Sequence, residues 1–371
     1  MRNETRVQCL IITLCKSLNY GAYLQAFALK EVLSNRGYQV SCLDVYDMAN
    51  EKKRLKGLYR GWKRRPFSIV FNTAKLMVFK LAEKKLNIAQ FSESSSAKIA
   101  YIGADEIWSV KNGSFDPAPE FFGLELDGLV KASYAPSVGN SGLEDIIRYP
   151  DYVRGLSNLD AISVRDSESL KVATEVTGRQ DATLVLDPTL LHDFSKHEIP
   201  IKIKSDFVLV YTYGFSSELA KEVRKFAKRN NVVVISAGFY HSWADKNVAC
   251  SPFQFLSLMK AAKYVITDTF HGSIFAIKYR KNFICYGQHK KKVKHLFELL
   301  GLNEALVSPG YLSEGRDIKS DYSGLEDRLL PLVKQSFDYL DRCDLIVKER
   351  LQDISVSELK EQKVPASNAA R

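Results

Sequence analysis

Short, nearly continuous apolar runs alternate with longer stretches of helical spacing, and the chain does this twice. Val7–Leu14 is the first run; Ala22–Arg36 has helical spacing and closes at Gly37; Gln39–Val45 is the next run. The alternation resumes with Phe207–Thr212, Ser217–Asn230 and Val232–Ser236, then Phe253–Ala262, Tyr264–Thr267, Gly272–Tyr279 and Asn282–Tyr286. Runs this apolar belong to strands covered on both faces, which means parallel sheets with helices packed on them. At ~150 residues per domain, 371 residues allow two such units. The expected division is 1–195, 196–325 and a helical tail 326–371, with a linker around Pro200. Long helical stretches are also expected over Ser68–Phe91 and Asp145–Gly155. In parallel-sheet units ligands bind beyond the carboxyl ends of the strands.

Composition narrows the class. The 53 lysines and arginines exceed the 43 acids, but eight of the cations fall between Lys52 and Arg65 with no acid among them. Without that stretch the chain is close to neutral, so a nucleic-acid-binding surface is not expected. The six cysteines are scattered and form no C-x-x-C, which reads as reduced core thiols in a cytoplasmic protein. No apolar run is long enough to span a bilayer. There is no dinucleotide fingerprint, P-loop, nucleophile elbow, D-x-D pair or metal-ligand cluster.

Five strand ends are unusual: one is Ala135-Pro136-Ser137-Val138-Gly139, and the other four carry candidate chemistry. His271 stands where a strand turns into a helix, in Thr267-Asp268-Thr269-Phe270-His271-Gly272-Ser273. Free N–H groups there can hold an anion and the imidazole can move a proton; an N-cap histidine is the plainer reading. Arg165 follows a buried-looking strand, and either grips an anion or pairs with Asp166 or another acid. Asp105, near Trp108, is a general base or a helix cap. Asn19 and Tyr20 contact a ligand or shape the turn before the first helix. The other five histidines have no comparable setting.

Six segments, in order, resemble the polysaccharide pyruvyltransferase family. They are Asn19–Ala26, Gly103–Trp108, Ser133–Gly139, Ser163–Asp166, Leu186–Leu191 and Thr267–Ser273. Ala104 and Glu106 depart from the family's usual Ser and Gln. The resemblance implies an α/β chain of two Rossmann-like domains facing a cleft, as in GT-B glycosyltransferases. It also implies transfer of pyruvate from phosphoenolpyruvate, as co-substrate, to a sugar, usually as a ketal with release of phosphate. Capsule or exopolysaccharide precursors are the expected acceptors. No cofactor or metal is expected. On this reading His271 and Asp105 are catalytic. Arg165, Phe270, His271, Gly272 and Ser273 hold phosphoenolpyruvate, and Asn19, Tyr20 and Trp108 face the acceptor.

The basic segment interleaves its cations with Leu55, Leu58, Tyr59 and Trp62 and runs into an apolar stretch that reaches Leu81. Residues 52–81 are therefore expected to meet an anionic membrane surface on the inner face of the cell membrane, or a lipid-linked or nucleotide-linked sugar. A solvated charge run over an ordinary helix is the alternative. Two rival functions remain: a nucleotide-sugar glycosyltransferase on the same fold, and a non-catalytic scaffold on a membrane surface.

Overall fold

The computed structural model describes residues 6–45, 66–90, 96–113 and 115–361, with side chains through residue 353. The basic segment 52–65 lies outside the described residues.

The first unit runs β1 (Gln8–Ile12), α1 (Tyr20–Asn35), β2 (Gln39–Leu43), α2 (Pro66–Glu83), β3 (Ile88–Ala89), β4 (Ile99–Gly103) and β5 (Val130–Tyr134). These strands form one parallel sheet in the order β3-β2-β1-β4-β5. Then come α3 (Leu143–Ile146), α4 (Pro150–Ser157), β6 (Ser163–Val164), α5 (Ser167–Thr177), β7 (Thr183–Leu184) and α6 (Pro188–Leu191). The short β6–β7 ladder is tied to β5 through the Ala132–Ala161 bridge.

The second unit runs β8 (Phe207–Tyr211), α7 (Ser217–Arg229), β9 (Val233–Ala237), β10 (Lys246–Val248), α8 (Pro252–Ala261), β11 (Tyr264–Thr267), α9 (Phe270–Lys278), β12 (Asn282–Cys285) and α10 (Lys291–Leu300). Its sheet order, β10-β9-β8-β11-β12, repeats the first. Both sheets thus have the Rossmann strand order, reversing direction at their first strand, and the chain is α/β with two Rossmann-like domains facing a cleft. The central strands β4 and β8 are buried at every residue, which is why they read as unbroken apolar runs.

One apolar core runs through both units. The faces turned toward each other share it, while the outer faces have separate cores around Trp108 and around Phe226. Helix α1 is the main joint. It packs on α6 of its own unit and on α8 and α9 of the other, so it is buried nearly all round. Helix α11 (Leu325–Glu361) then returns to the first unit. Its Ser336 hydroxyl accepts from the Leu186 amide at 2.9 Å, Tyr339 donates to the Ser133 carbonyl, and Asp344 receives Tyr38 at 2.7 Å and Arg36.

Three elements differ from expectation. The helix expected over Asp145–Gly155 is two helices, α3 and α4, with Pro150 starting the second because proline cannot bond within a helix interior. The long helix expected to reach Phe91 ends at Glu83, and a short 3-10 turn leads to Asn87 in the left-handed region (φ 51°) and on to β3. Helix α10 was not expected. Its buried Val293, Leu296, Phe297 and Leu300 do follow the helical repeat, but dense lysines hide them.

Candidate active site

The carboxyl ends of β1, β4, β6 and β11 converge where the domains meet. At the end of β4, Gly103 has φ 145°, and a Cβ there would stand 1.9 Å from the Tyr134 carbonyl oxygen, so only glycine fits. The next carbonyl, that of Ala104, accepts from Arg165 Nη1 at 2.9 Å. Arg165 follows β6. Asp187 caps α6: its Oδ1 accepts from the Thr189 amide (3.1 Å) and hydroxyl (2.6 Å). That leaves Oδ2 for Arg165 Nη1 at 3.1 Å. From the other domain, His271 Nε2 reaches the same Oδ2 at 3.3 Å, within ionic range but off the line of a hydrogen bond. One carboxylate therefore holds an arginine of its own domain and a histidine from across the cleft.

All three groups are buried, and Asp187 and Arg165 each favour the other's charged form. Burial pushes the Asp187 carboxyl up, but His271, Arg165 and the Thr189 hydroxyl outweigh it and hold it down at about 2. Burial works against the Arg165 charge, yet Asp187, Asp105, Glu106 and Asp166 more than restore it, so its pKa is raised. Arg165 is only half used. Its Nε and Nη2 are buried without a hydrogen-bond partner, and Nη2 lies 3.6 Å from Asp105 Oδ1. Unmade hydrogen bonds at a buried guanidinium are costly, on the order of 1–3 kcal/mol each. The Arg165 guanidinium lies 4.7 Å from the Phe270 ring centre.

More charges cross the cleft. Lys292 at the start of α10 pairs with Glu106, whose carboxyl is raised by burial but lowered further by Lys292, Arg165 and His271, for a net downward shift. Lys291 pairs with Glu168 at 3.2 Å. Within the second domain, Lys290 donates to the Asp268 carbonyl (2.6 Å) and pairs with its carboxylate (3.2 Å). A cavity of about 190 Å³ opens between α5 and α10, lined by Ser167, Lys291, Lys294 and His295 among others. Among the described residues, no group of three His, Cys, Asp or Glu side chains is placed to hold a metal ion.

The residues expected from the sequence divide into two groups. His271, Arg165, Asp105 and Phe270 come together as described. His271 is not the helix cap, because Thr269 takes that place and accepts from the Gly272 amide at 3.0 Å. The Gly272 N–H is thus spent and is not open to a ligand. Ser273 is fully buried and donates to the Thr269 carbonyl at 3.0 Å, so it does not face the cleft either. Trp108 is 1% exposed and gives its indole N–H to the Phe121 carbonyl at 2.7 Å; it belongs to the outer core, not to an acceptor site. Tyr20 is wholly buried, stacked on Phe255 at 4.4 Å and bonded to the Cys250 carbonyl at 2.9 Å, so it too is core. Asn19 caps α1, and its side chain also meets Tyr211 (3.0 Å) and Tyr213 (2.8 Å) of the other domain. Arg165 pairs with Asp187, while Asp166 caps α5.

Four contributors were not singled out. Asp187 stands in the family segment Leu186–Leu191 without a role assigned to it. Glu106 is marked only as a departure from the family's usual Gln, and Lys290 and Lys292 lie outside the six segments. Gly21 is a clear missed signal: a Cβ there would stand 2.3 Å from the His271 ring, so the glycine makes room for the histidine of the other domain.

Comparison with curated proteins gave no match. Among solved structures, the chain is similar to the glycosyltransferase SnogD from Streptomyces nogalater, with 14% identity, TM-score 0.47, and coverage of 93% of this chain and 100% of that one. It is also similar to a UDP-GlcNAc 2-epimerase from Neisseria meningitidis, with 9% identity, TM-score 0.46, and coverage of 94% and 99%. The pattern of the family described as Polysaccharide pyruvyl transferase matches residues 19–290. That span covers well over half of the chain and runs from Asn19 on one wall of the cleft to Lys290 on the other, and the chain belongs to the polysaccharide pyruvyl transferase family.

Proposed function

We propose that the enzyme moves the pyruvate group of phosphoenolpyruvate onto two hydroxyls of a sugar in a capsule or exopolysaccharide precursor, forming a ketal and releasing phosphate. The observation that carries this reading is the buried Arg165 with two unused donors, set beside His271 on a shared Asp187. A doubly anionic substrate would meet those donors, and binding would remove the cost of leaving them unpaired.

His271 gives a proton to the methylene carbon of phosphoenolpyruvate, with Asp187 as counter-ion to the imidazolium. The carbon that carries the phosphate becomes oxocarbenium-like. One sugar hydroxyl attacks it and passes its proton to Asp105. The second hydroxyl attacks the same carbon, displaces phosphate and returns a proton to His271, while the proton on Asp105 leaves with the phosphate. Each role suits the position of its residue: Asp105 and His271 approach from opposite domains, with Arg165 between them.

The test is incubation with phosphoenolpyruvate and a panel of lipid-linked and nucleotide-linked sugars, read by mass spectrometry and phosphate release. A pyruvate ketal on one acceptor with equimolar phosphate supports the reading. Nucleoside diphosphate release from a nucleotide sugar, with phosphoenolpyruvate untouched, replaces it with glycosyl transfer.

A further inference from the structure

We infer that the outward face of α2 docks the protein on an anionic lipid surface. The helix has two apolar faces with different fates. Phe71, Phe79 and Ala82 are buried, together with Lys75. On the other side Phe67, Val70, Met77 and Leu81 are 72, 70, 63 and 66% exposed. With Ala74 they are spaced by three, four, three and four residues, so they form one stripe along the helix. Four of the ten large exposed apolar side chains among the described residues lie on this one element. Single exposed apolar residues are ordinary, but a continuous row of them marks an interaction surface.

Charge selects the partner. Lys80 and Lys84 are exposed at the far end of the stripe. In the chain, α2 is preceded directly by Lys52, Lys53, Arg54, Lys56, Arg60, Lys63, Arg64 and Arg65, with no acid between them. An apolar row joined to a dense cationic segment suits a helix lying flat among anionic headgroups. A second copy of the chain suits it poorly, because each copy carries a formal net charge of +10 and like charges oppose the pairing. Spanning is not at issue. No helix among the described residues is long and apolar enough to cross a membrane, and the inner face of α2 is already packed in protein. This inference is independent of the proposed reaction.

The full chain is to be sedimented with phosphatidylcholine vesicles, with and without about one-third phosphatidylglycerol. The parent is expected to pellet only with the anionic vesicles. It should be released near 1 M salt, where the Debye length falls to ~3 Å from ~10 Å at 0.1 M. Phe67→Ser/Val70→Ser/Met77→Ser/Leu81→Ser should lower the bound fraction at least about tenfold. Replacing Lys52, Lys53, Arg54, Lys63, Arg64 and Arg65 with glutamine should do the same. All four stripe residues are exposed, so the unfolding midpoint should not fall; Leu81→Ser alone, with a partial loss, covers the case in which the quadruple variant misfolds. A parent that stays in the supernatant at low salt overturns the inference. So does equal binding by the stripe variant, or a parent dimer that the stripe variant turns into a monomer.

Discussion

Two of the contacts that join the domains are built in opposite ways. Around Tyr20 the joint is aromatic and complete: the ring stacks on Phe255 and on Phe79 (5.3 Å), its hydroxyl is bonded, and Lys75 beside it donates a hydrogen bond to the Gly238 carbonyl at 2.5 Å. Around Asp187 the joint is ionic and incomplete, with donors on Arg165 still unused. Neighbouring residues of one turn feed the two joints, since Tyr20 enters the first and Gly21 clears space for His271 in the second. The first joint can hold the domains together, and that leaves the second free to keep unsatisfied groups for a ligand. Unmade bonds of this kind persist only where the surrounding structure imposes them.

The largest effect expected to sharpen this contrast is on turnover. His271→Gln removes the proposed proton carrier and should slow pyruvyl transfer by ~10²–10⁴-fold. The unfolding midpoint should move little, because Asp187 keeps Arg165 and Thr189. Arg165→Lys keeps a charge but loses the forked donors, and should raise KM for phosphoenolpyruvate more than it lowers kcat. Near-normal kinetics in both variants would show that the ionic joint only holds the fold.

Next in size is the stability of the ionic joint itself. Asp187→Asn leaves Arg165 buried without its main counter-ion and should cost ~3–5 kcal/mol in urea unfolding. The sign with pH follows from the depressed carboxyl. Its contribution is full above the ordinary carboxylate value near 4 and disappears as pH falls through about 2. The parent should therefore lose stability across that acid window, and the variant should lack that part of the loss. Parallel acid limbs would mean that Asp187 is not held as described.

The aromatic joint predicts a smaller effect of opposite slope. Burial pushes Lys75 from 10.5 down to about 7. Between those values the unfolded chain carries a proton that the folded chain has released, so stability should rise with pH from about 7 to 10.5. Lys75→Met should remove that rise and be the more stable protein at neutral pH and below, by on the order of 1–3 kcal/mol. An unchanged slope would place the lysine's proton elsewhere. The smallest expected effect is none: exhaustive chelation should leave turnover as it was, and loss restored by one divalent ion would reveal a metal requirement.

Much of this architecture could be read from the chain. The apolar run at β8 and the spacing of α7 are local patterns, set by which faces of a strand or helix must be covered, and they appear in the structure within a residue or two. His271, Arg165 and Asp105 could be picked out as candidates because each lies within four residues of the carboxyl end of a strand, where a parallel sheet leaves its ligand site. The family segments placed them in one order along the chain. Where those side chains point was not encoded locally. Trp108, Tyr20 and Ser273 occupy similar strand-end or helix-start positions, yet turn into the core: Trp108 meets the Phe121 carbonyl, Tyr20 the Cys250 carbonyl of the other domain, and Ser273 the Thr269 carbonyl one helical turn before it. Asp187 is 84 residues from His271 in sequence but 3.3 Å from it in space. Only the docking of two domains across α1 makes that pair, and a side-chain contact between separately folded sheets leaves no period or spacing in the sequence.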